Sequence, residues 1–309
     1  NTAVGYQAAY YNQTGNYNTW MGYSAGLGAS GNSNSHNVGI GWGALNYVTT
    51  GGYNVAVGSQ ALRNNTSAAN NVAIGYQALV SNQTASNMIA IGNGALYTEA
   101  SSAYAVAIGT NAYFTHNAAE NYGSVVVGFY AGRSATTGID NSFVGGYAGR
   151  NHTTGSYNVF LGASAGISNT TASNNTAVGY QALYSSTVDN STAIGYQALY
   201  SNTTGTINLA IGGLALTFNT TGIRNHAIGY QSLKYNTTGS RNIGIGVNTL
   251  AGNITNSDSV AIGSSALGGA TADNNIGIGT QALGLTTTGG SNIAIGYQAA
   301  YRSEEHTSE

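Results

Sequence analysis

The seventeen residues from Asn208 to Arg224, NLAIGGLALTFNTTGIR, decide the fold of this chain. They begin with Asn-Leu-Ala-Ile-Gly, pass through a short turn to Ala-Leu, and end in an Asn-Thr-Thr-Gly segment. The pattern recurs along the chain, and we number each copy so that the glycine equivalent to Gly212 is position five. Thirteen of the seventeen intervals between these glycines are 17 residues long and the others are 16 or 19, which indicates a repeat protein. The glycines are Gly5, Gly22, Gly41, Gly58, Gly75, Gly92, Gly109, Gly128, Gly145, Gly162, Gly179, Gly195, Gly212, Gly229, Gly246, Gly263, Gly279 and Gly296.

The residue types at the other repeat positions predict β-structure. Position four is aliphatic or Met in all eighteen copies, and position two is mostly β-branched, as strands prefer. A 17-residue unit is too short for a strand and a helix, but it fits two short strands and two turns. The sequence therefore predicts an all-β fold. We expect a parallel β-roll or β-solenoid of about eighteen rungs, spaced about 4.8 Å apart, as a single array over residues 1–301.

Asparagine and glycine predict how neighbouring rungs are joined. Position one is Asn in thirteen copies, and we expect a ladder of side-chain amides that bond from rung to rung. The Asn-Thr-Thr-Gly segments at 202–205 and 236–239 are predicted turns, in which Gly supplies a positive φ and Asn tolerates one.

Positions three and nine vary together. Position three is usually Ala or Gly, and position nine is then usually Leu, as in Ala193 and Leu199. Where position three is large, position nine is glycine, which roughly conserves volume, as a packed core demands. We therefore expect the two positions to share one cavity between the two predicted strands of a rung. The large residues are Trp20, Val126, Phe143 and Phe160, and their partners are Gly26, Gly132, Gly149 and Gly166.

If position three points inward, positions two and four point outward, because strand side chains alternate between faces. The outer face then carries a continuous apolar row, which soluble monomers rarely expose. We expect further copies of the chain to cover this row in a homotrimer or other intertwined oligomer. The alternative is a filament of monomeric solenoids stacked end to end. The isoleucines assigned to the seam are Ile74, Ile91, Ile108, Ile194, Ile211, Ile228, Ile245 and Ile262.

The composition argues against several classes of protein. Charged residues make up 5 % of the chain, against about 25 % in ordinary domains, and the formal net charge is -2. Binding to nucleic acid or to anionic lipid is therefore not expected. No apolar run approaches the ~20 residues needed to span a membrane, so no membrane insertion is expected. Without cysteine the chain has neither disulfides nor thiolate metal sites.

The last eight residues, 302–309, break the repeat and hold four of the sixteen charged side chains. They resemble the in-frame translation of a sequencing-adapter oligonucleotide, and we interpret them as an artefact, with a disordered polar tail as the alternative. We expect residues 1–301 to be a fragment of a longer array, open at both ends.

The segments Asn71–Gly75, Ala105–Gly109 and Ser259–Gly263 resemble the head repeats of YadA-like trimeric autotransporter adhesins. Similar repeats occur in bacteriophage tail fibres, and the resemblance covers residues 1–301. It implies a left-handed parallel β-roll of three intertwined chains that lies outside the cell and binds host or matrix surfaces. The period of 17 residues is longer than is usual in that family.

Motifs that would indicate catalysis are weak. Gly22–Gly26 and Gly162–Gly166 match the G-x-S-x-G pattern of a nucleophile elbow, but that elbow requires a strand-to-helix turn. The charged groups outside the tail are predicted to be scattered, without the spacing of an acid–base pair. We therefore predict no enzyme, no catalytic residue, no metal and no cofactor. Four histidines are predicted to occupy unrelated repeat phases as lone surface or turn residues, namely His36, His116, His152 and His226.

Two sets of polar residues are candidate surface sites. Tyrosines at position six either pack beside the strands or stack sugar rings. Twelve N-x-S/T sequons occur, which turn composition alone generates, and glycosylation is the alternative reading. The tyrosines are Tyr76, Tyr180, Tyr196, Tyr230 and Tyr297. The candidate glycosylation sites are Asn82, Asn169, Asn202, Asn219, Asn236 and Asn253.

These observations predict an extracellular structural or adhesive fibre segment at a cell or virion surface. Its expected partners are further copies of itself and a cell-surface glycan or matrix receptor. A passive structural filament is the first alternative. An ice-binding solenoid, which would use the paired threonines of the turns, is the second.

Overall fold

Each repeat contributes one three-residue β-strand, formed by positions two to four. The computed structural model describes residues 1–99, 104–117, 123–269, 271–285 and 288–301. Within these ranges the chain is all-β and contains no α-helix, and the predicted parallel β-solenoid is confirmed. The predicted artefact or tail at 302–309 lies outside them. The strands are β1 (Thr2–Val4), β2 (Thr19–Met21), β3 (Val38–Ile40), β4 (Val55–Val57), β5 (Val72–Ile74), β6 (Ile89–Ile91), β7 (Val106–Ile108), β8 (Val125–Val127), β9 (Ser142–Val144), β10 (Val159–Leu161), β11 (Thr176–Val178), β12 (Thr192–Ile194), β13 (Leu209–Ile211), β14 (His226–Ile228), β15 (Ile243–Ile245), β16 (Val260–Ile262), β17 (Ile276–Ile278) and β18 (Ile293–Ile295).

The chain divides into two compact units, Asn1–Asn158 and Val159–Glu309. In the first unit the strands β1 to β9 pair in chain order, each parallel to the next. In the second unit β10 to β18 pair in the same way. Pairing joins equivalent repeat positions, so that Ile211 lies opposite Ile228. Each repeat is therefore one turn of a solenoid, and equivalent side chains stack as ladders within each unit.

The middle residue of each strand points inward and its neighbours point outward. Ala210 is fully buried, whereas Leu209 and Ile211 on either side of it are partly exposed. The position-nine residue Leu216 is also fully buried. The assignment of positions three and nine to the interior is thus confirmed, and so is the outward direction of positions two and four.

The anchor glycine leaves no room for a side chain. Gly212 has φ +134°, and a Cβ added there would lie 2.4 Å from the carbonyl oxygen of Gly229 in the next rung. Both the conformation and the close backbone approach require glycine. This contact explains why position five is Gly in every copy of the repeat.

The predicted second strand is wrong. The segment at positions six to ten forms a series of turns, in which Gln197 and Leu199 both have φ 51°. The N–H of Gln197 donates to the carbonyl of Tyr180 in the preceding rung, at 3.0 Å, and that of Leu199 donates to Ala215 in the following rung, at 3.0 Å. Single residues in the left-handed region thus direct their N–H groups up and down the stack, which a regular strand would not do. The apolar Ala-Leu pattern indicates burial, which occurs here in a turn rather than in a strand.

The glycine of the Asn-Thr-Thr-Gly turn has a different purpose from the predicted one. Gly205 does not have a positive φ; a Cβ there would lie 2.3 Å from the carbonyl oxygen of Gly222 in the next rung. The positive φ comes two residues later, at position seventeen, where Ile207 has 58° and Arg224 has 57°. Glycine is therefore needed at this turn for close packing between rungs, while other residue types adopt the left-handed conformation.

Two ladders of buried asparagine connect successive rungs over parts of the chain. At position one, Asn208 Oδ1 accepts from the backbone N–H of Asn225 at 2.9 Å, and its Nδ2 donates to the carbonyl of Gly222 at 2.8 Å. The predicted rung-to-rung ladder is confirmed, although its main partner is the backbone. The second ladder, at position twelve, was not predicted. There Asn219 Nδ2 donates to Asn202 Oδ1 at 2.8 Å.

Candidate binding surfaces

The outer face of the strands carries the side chains of positions two, four and six. In the second unit Ile194, Ile211, Ile228 and Ile245 follow one another as directly opposed strand residues. Ile194 and Ile245 are each 37 % exposed, and the other two are partly exposed. All eight predicted seam isoleucines are the last residues of their strands and lie on this apolar face, although what covers them stays a prediction.

The position-six tyrosines lie at the edge of this face, beyond the anchor glycines. About half of each of four rings is exposed: 49 % for Tyr76, 50 % for Tyr180, and 52 % for both Tyr196 and Tyr230. Tyr297 is 74 % exposed. The rings of Tyr180 and Tyr196 stack with centroids 5.8 Å apart. They form a stacked pair on the surface that a further aromatic or sugar ring could extend, and the role of the five tyrosines as a stacking surface stays a prediction.

The six candidate glycosylation asparagines all lie at position twelve. Each has a fully buried side chain. Asn236 is an example, since its Nδ2 donates to Asn219 Oδ1 at 2.8 Å and to the carbonyl of Gly239 at 2.9 Å. A glycan on this nitrogen would need space that the packed interior does not have. We therefore no longer propose these sites as glycan acceptors in the folded chain. The six are Asn82, Asn169, Asn202, Asn219, Asn236 and Asn253.

The threonines of the turns bond along the stack. The hydroxyl of Thr203 donates to the carbonyl of Thr220 at 3.0 Å, and that of Thr220 donates to Thr237 at 3.1 Å. Hydroxyl groups that are oriented toward the neighbouring rung are less free to bind ordered water, so this ladder does not favour an ice-binding surface. Beside it, the rings of Phe218 and Tyr235 stack at 5.6 Å.

The prediction that the histidines occupy unrelated phases is wrong for two of them. His116 and His152 both lie at position twelve, in the interior. His116 Nδ1 is 2.7 Å from Glu99 Oε2, and both side chains are buried. The ring of Tyr113 stacks on His116 with centroids 4.1 Å apart, and burial raises the pKa of this tyrosine above its ordinary value. Glu99, His116 and His152 replace asparagine at position twelve in the interior, so we assign them to the core rather than to a binding surface.

The basic residues are not scattered, contrary to the prediction. Four of the six that precede the tail occupy position ten, on the turn after the buried position nine. In the first unit Arg133 and Arg150 occupy this position in successive rungs, and both are partly exposed. The periodicity of the arginines was visible in the sequence, but it could be found only by assigning every charge to its repeat position. The four are Arg63, Arg133, Arg150 and Lys234.

Aromatic rings lie beside both arginines, and the ring of Tyr130 contacts both of them. The guanidinium carbon of Arg133 lies 5.1 Å from the ring centroid of Tyr130 and 5.9 Å from that of Phe114. That of Arg150 lies 5.9 Å from Tyr130 and 5.5 Å from Tyr147. Each cation thus contacts two aromatic side chains, at distances typical of cation–π interactions. The result is a compact basic and aromatic patch, which we call the arginine–tyrosine patch.

Comparison with protein-family models finds no match to this chain, and comparison with curated proteins finds no similar sequence. Within the described part of the chain, no helix is long and apolar enough to traverse a bilayer. The same residues contain no group of three or more His, Asp or Glu side chains placed to hold a metal ion.

Proposed function

We propose that this chain is a segment of an extracellular fibre, which assembles with further copies of itself and attaches one biological surface to another. The observation that carries the proposal is the row of aliphatic residues and Met at position four, beside the mostly β-branched residues at position two. The side chains at both positions are at least partly exposed in every described strand. A continuous apolar row of this kind usually marks an interaction surface. Covering it with identical chains buries the row on every copy at once.

The chemistry of the row supports self-association. Position four is aliphatic or Met throughout, and charge at position two is confined to His226, which ionises only when protonated. An apolar face without fixed charge offers little that would select a different partner by electrostatic complementarity. The resemblance of the repeats to trimeric adhesin heads supports three chains in the assembly.

A binding role is favoured over catalysis by the setting of the candidate nucleophiles. Ser24 and Ser164 of the two G-x-S-x-G segments lie at position seven with φ 53° and 57°, inside runs of turns. No helix follows either segment, which the hydrolase elbow requires. The exposed polar and aromatic side chains of the turns are the groups that an attachment surface would use.

The assembly is tested by placing charge in the row. The double variant Ile211→Asp and Ile228→Asp puts a carboxylate at two successive seam positions, and we expect it to dissociate the oligomer because desolvating these charges is costly. The matched control, Thr204→Asp with Thr221→Asp, places the same charges at exposed turn positions one rung apart. Multi-angle light scattering measures the mass of each. An oligomer that survives in the seam variant, or a monomeric parent chain, would overturn the proposal.

Attachment is tested separately with a glycan array and a cell-binding assay. Binding to cells or to immobilised glycans supports an adhesive fibre, and its absence in both assays would leave a passive filament. A filament that lengthens with protein concentration would indicate end-to-end stacking instead of a closed oligomer. Thermal hysteresis in dilute solution would indicate the ice-binding alternative.

A further inference from the structure

We propose that the arginine–tyrosine patch of the first unit binds an acidic saccharide, through the guanidinium groups of Arg133 and Arg150 and the rings beside them. The inference rests on the proposed attachment role and gives it a chemical class of ligand. It adds a site that differs from the apolar row and from the position-six tyrosines.

The charges near the patch are unbalanced. Neither Arg133 nor Arg150 has a carboxylate within 4.0 Å among the residues that the structure describes, whereas Arg241 in the second unit pairs with Asp258 at 2.5 Å. Of the carboxylates that are described in the first unit, Glu99 is buried against His116 and Asp140 lies at position seventeen, on a different turn. Among the described residues, the patch therefore presents positive charge without a neutralising carboxylate beside it.

The proximity of two arginines has an energetic cost. The two guanidinium carbons lie 5.1 Å and 5.9 Å from the same Tyr130 ring centroid, and two like charges this near each other repel. Contacts with Phe114, Tyr130 and Tyr147 offset part of this repulsion. An anion that contacts both guanidiniums would reduce the remaining repulsion, which favours an acidic ligand at this patch.

The combination of groups specifies the ligand. A guanidinium donates two parallel hydrogen bonds to a carboxylate or a sulfate, and the exposed rings provide flat surfaces for the apolar face of a sugar. Tyr147, which is 36 % exposed, contacts Arg150, and Phe129, which is 46 % exposed, contacts Tyr130 and Tyr147. The rings of Phe129 and Tyr147 meet edge to face with centroids 5.4 Å apart. A sugar that carries a carboxylate or a sulfate ester uses both features at once.

Nucleic acid is a poorer fit to the same surface. Tight binding to a phosphate backbone needs many basic contacts along an extended path, and its affinity comes mainly from them. The patch has two guanidiniums, and the whole chain has a formal net charge of -2. We therefore argue for the acidic saccharide and use nucleic acid as a competing outcome in the test.

The test compares the parent chain with the double variant Arg133→Gln and Arg150→Gln. Heparin, hyaluronan, neutral dextran and single-stranded DNA are immobilised, and binding is followed by biolayer interferometry at low and high salt. We expect the parent chain to bind heparin, hyaluronan or both, more weakly at high salt, and not to bind dextran. Loss of two charged hydrogen-bonding groups should weaken this binding at least about tenfold. Binding to heparin alone assigns sulfate as the recognised group, and binding to hyaluronan shows that a carboxylate is sufficient.

The controls distinguish specific binding at the arginine–tyrosine patch from a general effect of positive charge on binding. Arg63→Gln removes a position-ten arginine that contacts Tyr47 at 5.5 Å and has no arginine in the adjacent rungs, and it should leave binding within about twofold. Tyr147→Ala, which leaves the net charge unchanged, should weaken binding if the ring stacks on the sugar. Circular dichroism melts establish that each variant is folded. DNA bound as tightly as heparin, or equal losses in Arg63→Gln and the double variant, would overturn the inference.

The same samples distinguish this inference from the proposed function. A chain that binds acidic saccharide through Arg133 and Arg150 but stays monomeric upholds the site and overturns the proposed assembly. A chain that assembles and attaches to cells equally well in the double variant upholds the fibre and overturns the site.

Discussion

Gly149 lies against the ring of Phe143, so that a Cβ on the glycine would be 3.0 Å from Cδ2 and Cε2 of that ring. The same relationship holds for Gly166 and Phe160, where the nearest ring atom would be 2.6 Å from the added Cβ. The sequence shows that side-chain size at position three varies inversely with side-chain size at position nine. The structure explains this relationship, because the two positions are in direct contact within one rung.

Substitutions at Phe143 and Gly149 should have coupled effects on stability, because the two residues share one cavity. Phe143→Ala leaves a cavity that the glycine cannot fill, at a cost of about 3–5 kcal/mol of unfolding free energy. Gly149→Leu overpacks against the ring and costs about 1–3 kcal/mol. The double variant recreates the pair formed by Ala193 and Leu199, so its loss should be smaller than the sum by about 0.5–3 kcal/mol. Thermal or denaturant unfolding of all four proteins measures this coupling.

The backbone conformation of residue 149 does not affect the coupling energy obtained from this double-mutant cycle. Gly149 has φ 55°, and Leu199 adopts φ 51° at the same repeat position in the second unit. Any cost of placing a leucine in this conformation enters the single and the double variant equally and cancels in the coupling energy. Additive losses would contradict the shared cavity, and with it the packing that directs the apolar row outward.

Two adjacent glycines in the second unit should respond very differently to a methyl group. Gly212→Ala meets the Gly229 oxygen at 2.4 Å in a backbone conformation unfavourable for alanine, and strain of this kind costs about 1–3 kcal/mol or more. Gly213→Ala has its nearest contact at 3.4 Å, with the Tyr230 ring, and no positive φ. We expect it to change stability by no more than about 0.5 kcal/mol. Equal melting temperatures for the two variants would show that anchor glycines are not required by the rung spacing.

The sequence predicted the fold well wherever a residue type at a repeat position has only one structural explanation. The period, the inward position three and the outward position four follow from packing, and all of them are confirmed. The sequence was misleading where the same residue type has two possible structural explanations. Leucine at position nine indicates burial both in strands and in turns, and Leu199 proved to lie in a turn. Glycine occurs either where the backbone has a positive φ or where two backbone segments approach closely, and Gly205 is needed for the second reason.

The candidate sites were harder to predict, because side-chain burial at a turn is set by the neighbouring rungs. Asn219 occurs in a sequon and in a turn motif, both of which favour the surface, yet its amide is enclosed by Asn202 and Asn236. The arginine–tyrosine patch depends on contacts between rungs, which a single repeat does not contain. Aligning Arg133 with Arg150 by repeat position would have revealed the charge, although not the contacts with the aromatic rings beside it.

The position-twelve ladder should make a measurable contribution to stability. Asn219→Ala removes the donor to Asn202 Oδ1 and the acceptor of Asn236 Nδ2, each at 2.8 Å, in a fully buried position. A buried polar group left without its partner costs about 1–3 kcal/mol. The control Thr221→Ala, in the same turn but exposed, should lie within about 0.5 kcal/mol of the parent chain. Chemical denaturation provides both values, and similar losses in the two variants would contradict a structural role for the ladder.

Alkaline pH should destabilise the first unit through Tyr113. Its hydroxyl is buried, 3.0 Å from both Ser124 Oγ and the Gly138 carbonyl oxygen. Burial raises the pKa of Tyr113, and the charges of Glu99 and Asp140 act in the same direction, while hydrogen bonds with Ser124 and Asn141 oppose the shift.

The sign of the pH dependence follows from this shift. Above the ordinary tyrosine pKa of about 10, the unfolded chain loses the Tyr113 proton while the folded chain keeps it, so the unfolding free energy falls as pH rises. The slope from this group approaches about 1.4 kcal/mol per pH unit and is absent below pH ~9. Tyr113→Phe keeps the ring that stacks on His116 and removes the titrating group, so its stability should depend less on pH above ~10. The matched control is Tyr230→Phe, which removes a hydroxyl from a half-exposed ring in the second unit. Denaturant unfolding between pH 8 and about 12 measures the slopes, and identical curves for the parent chain and Tyr113→Phe would exclude this tyrosine as the source.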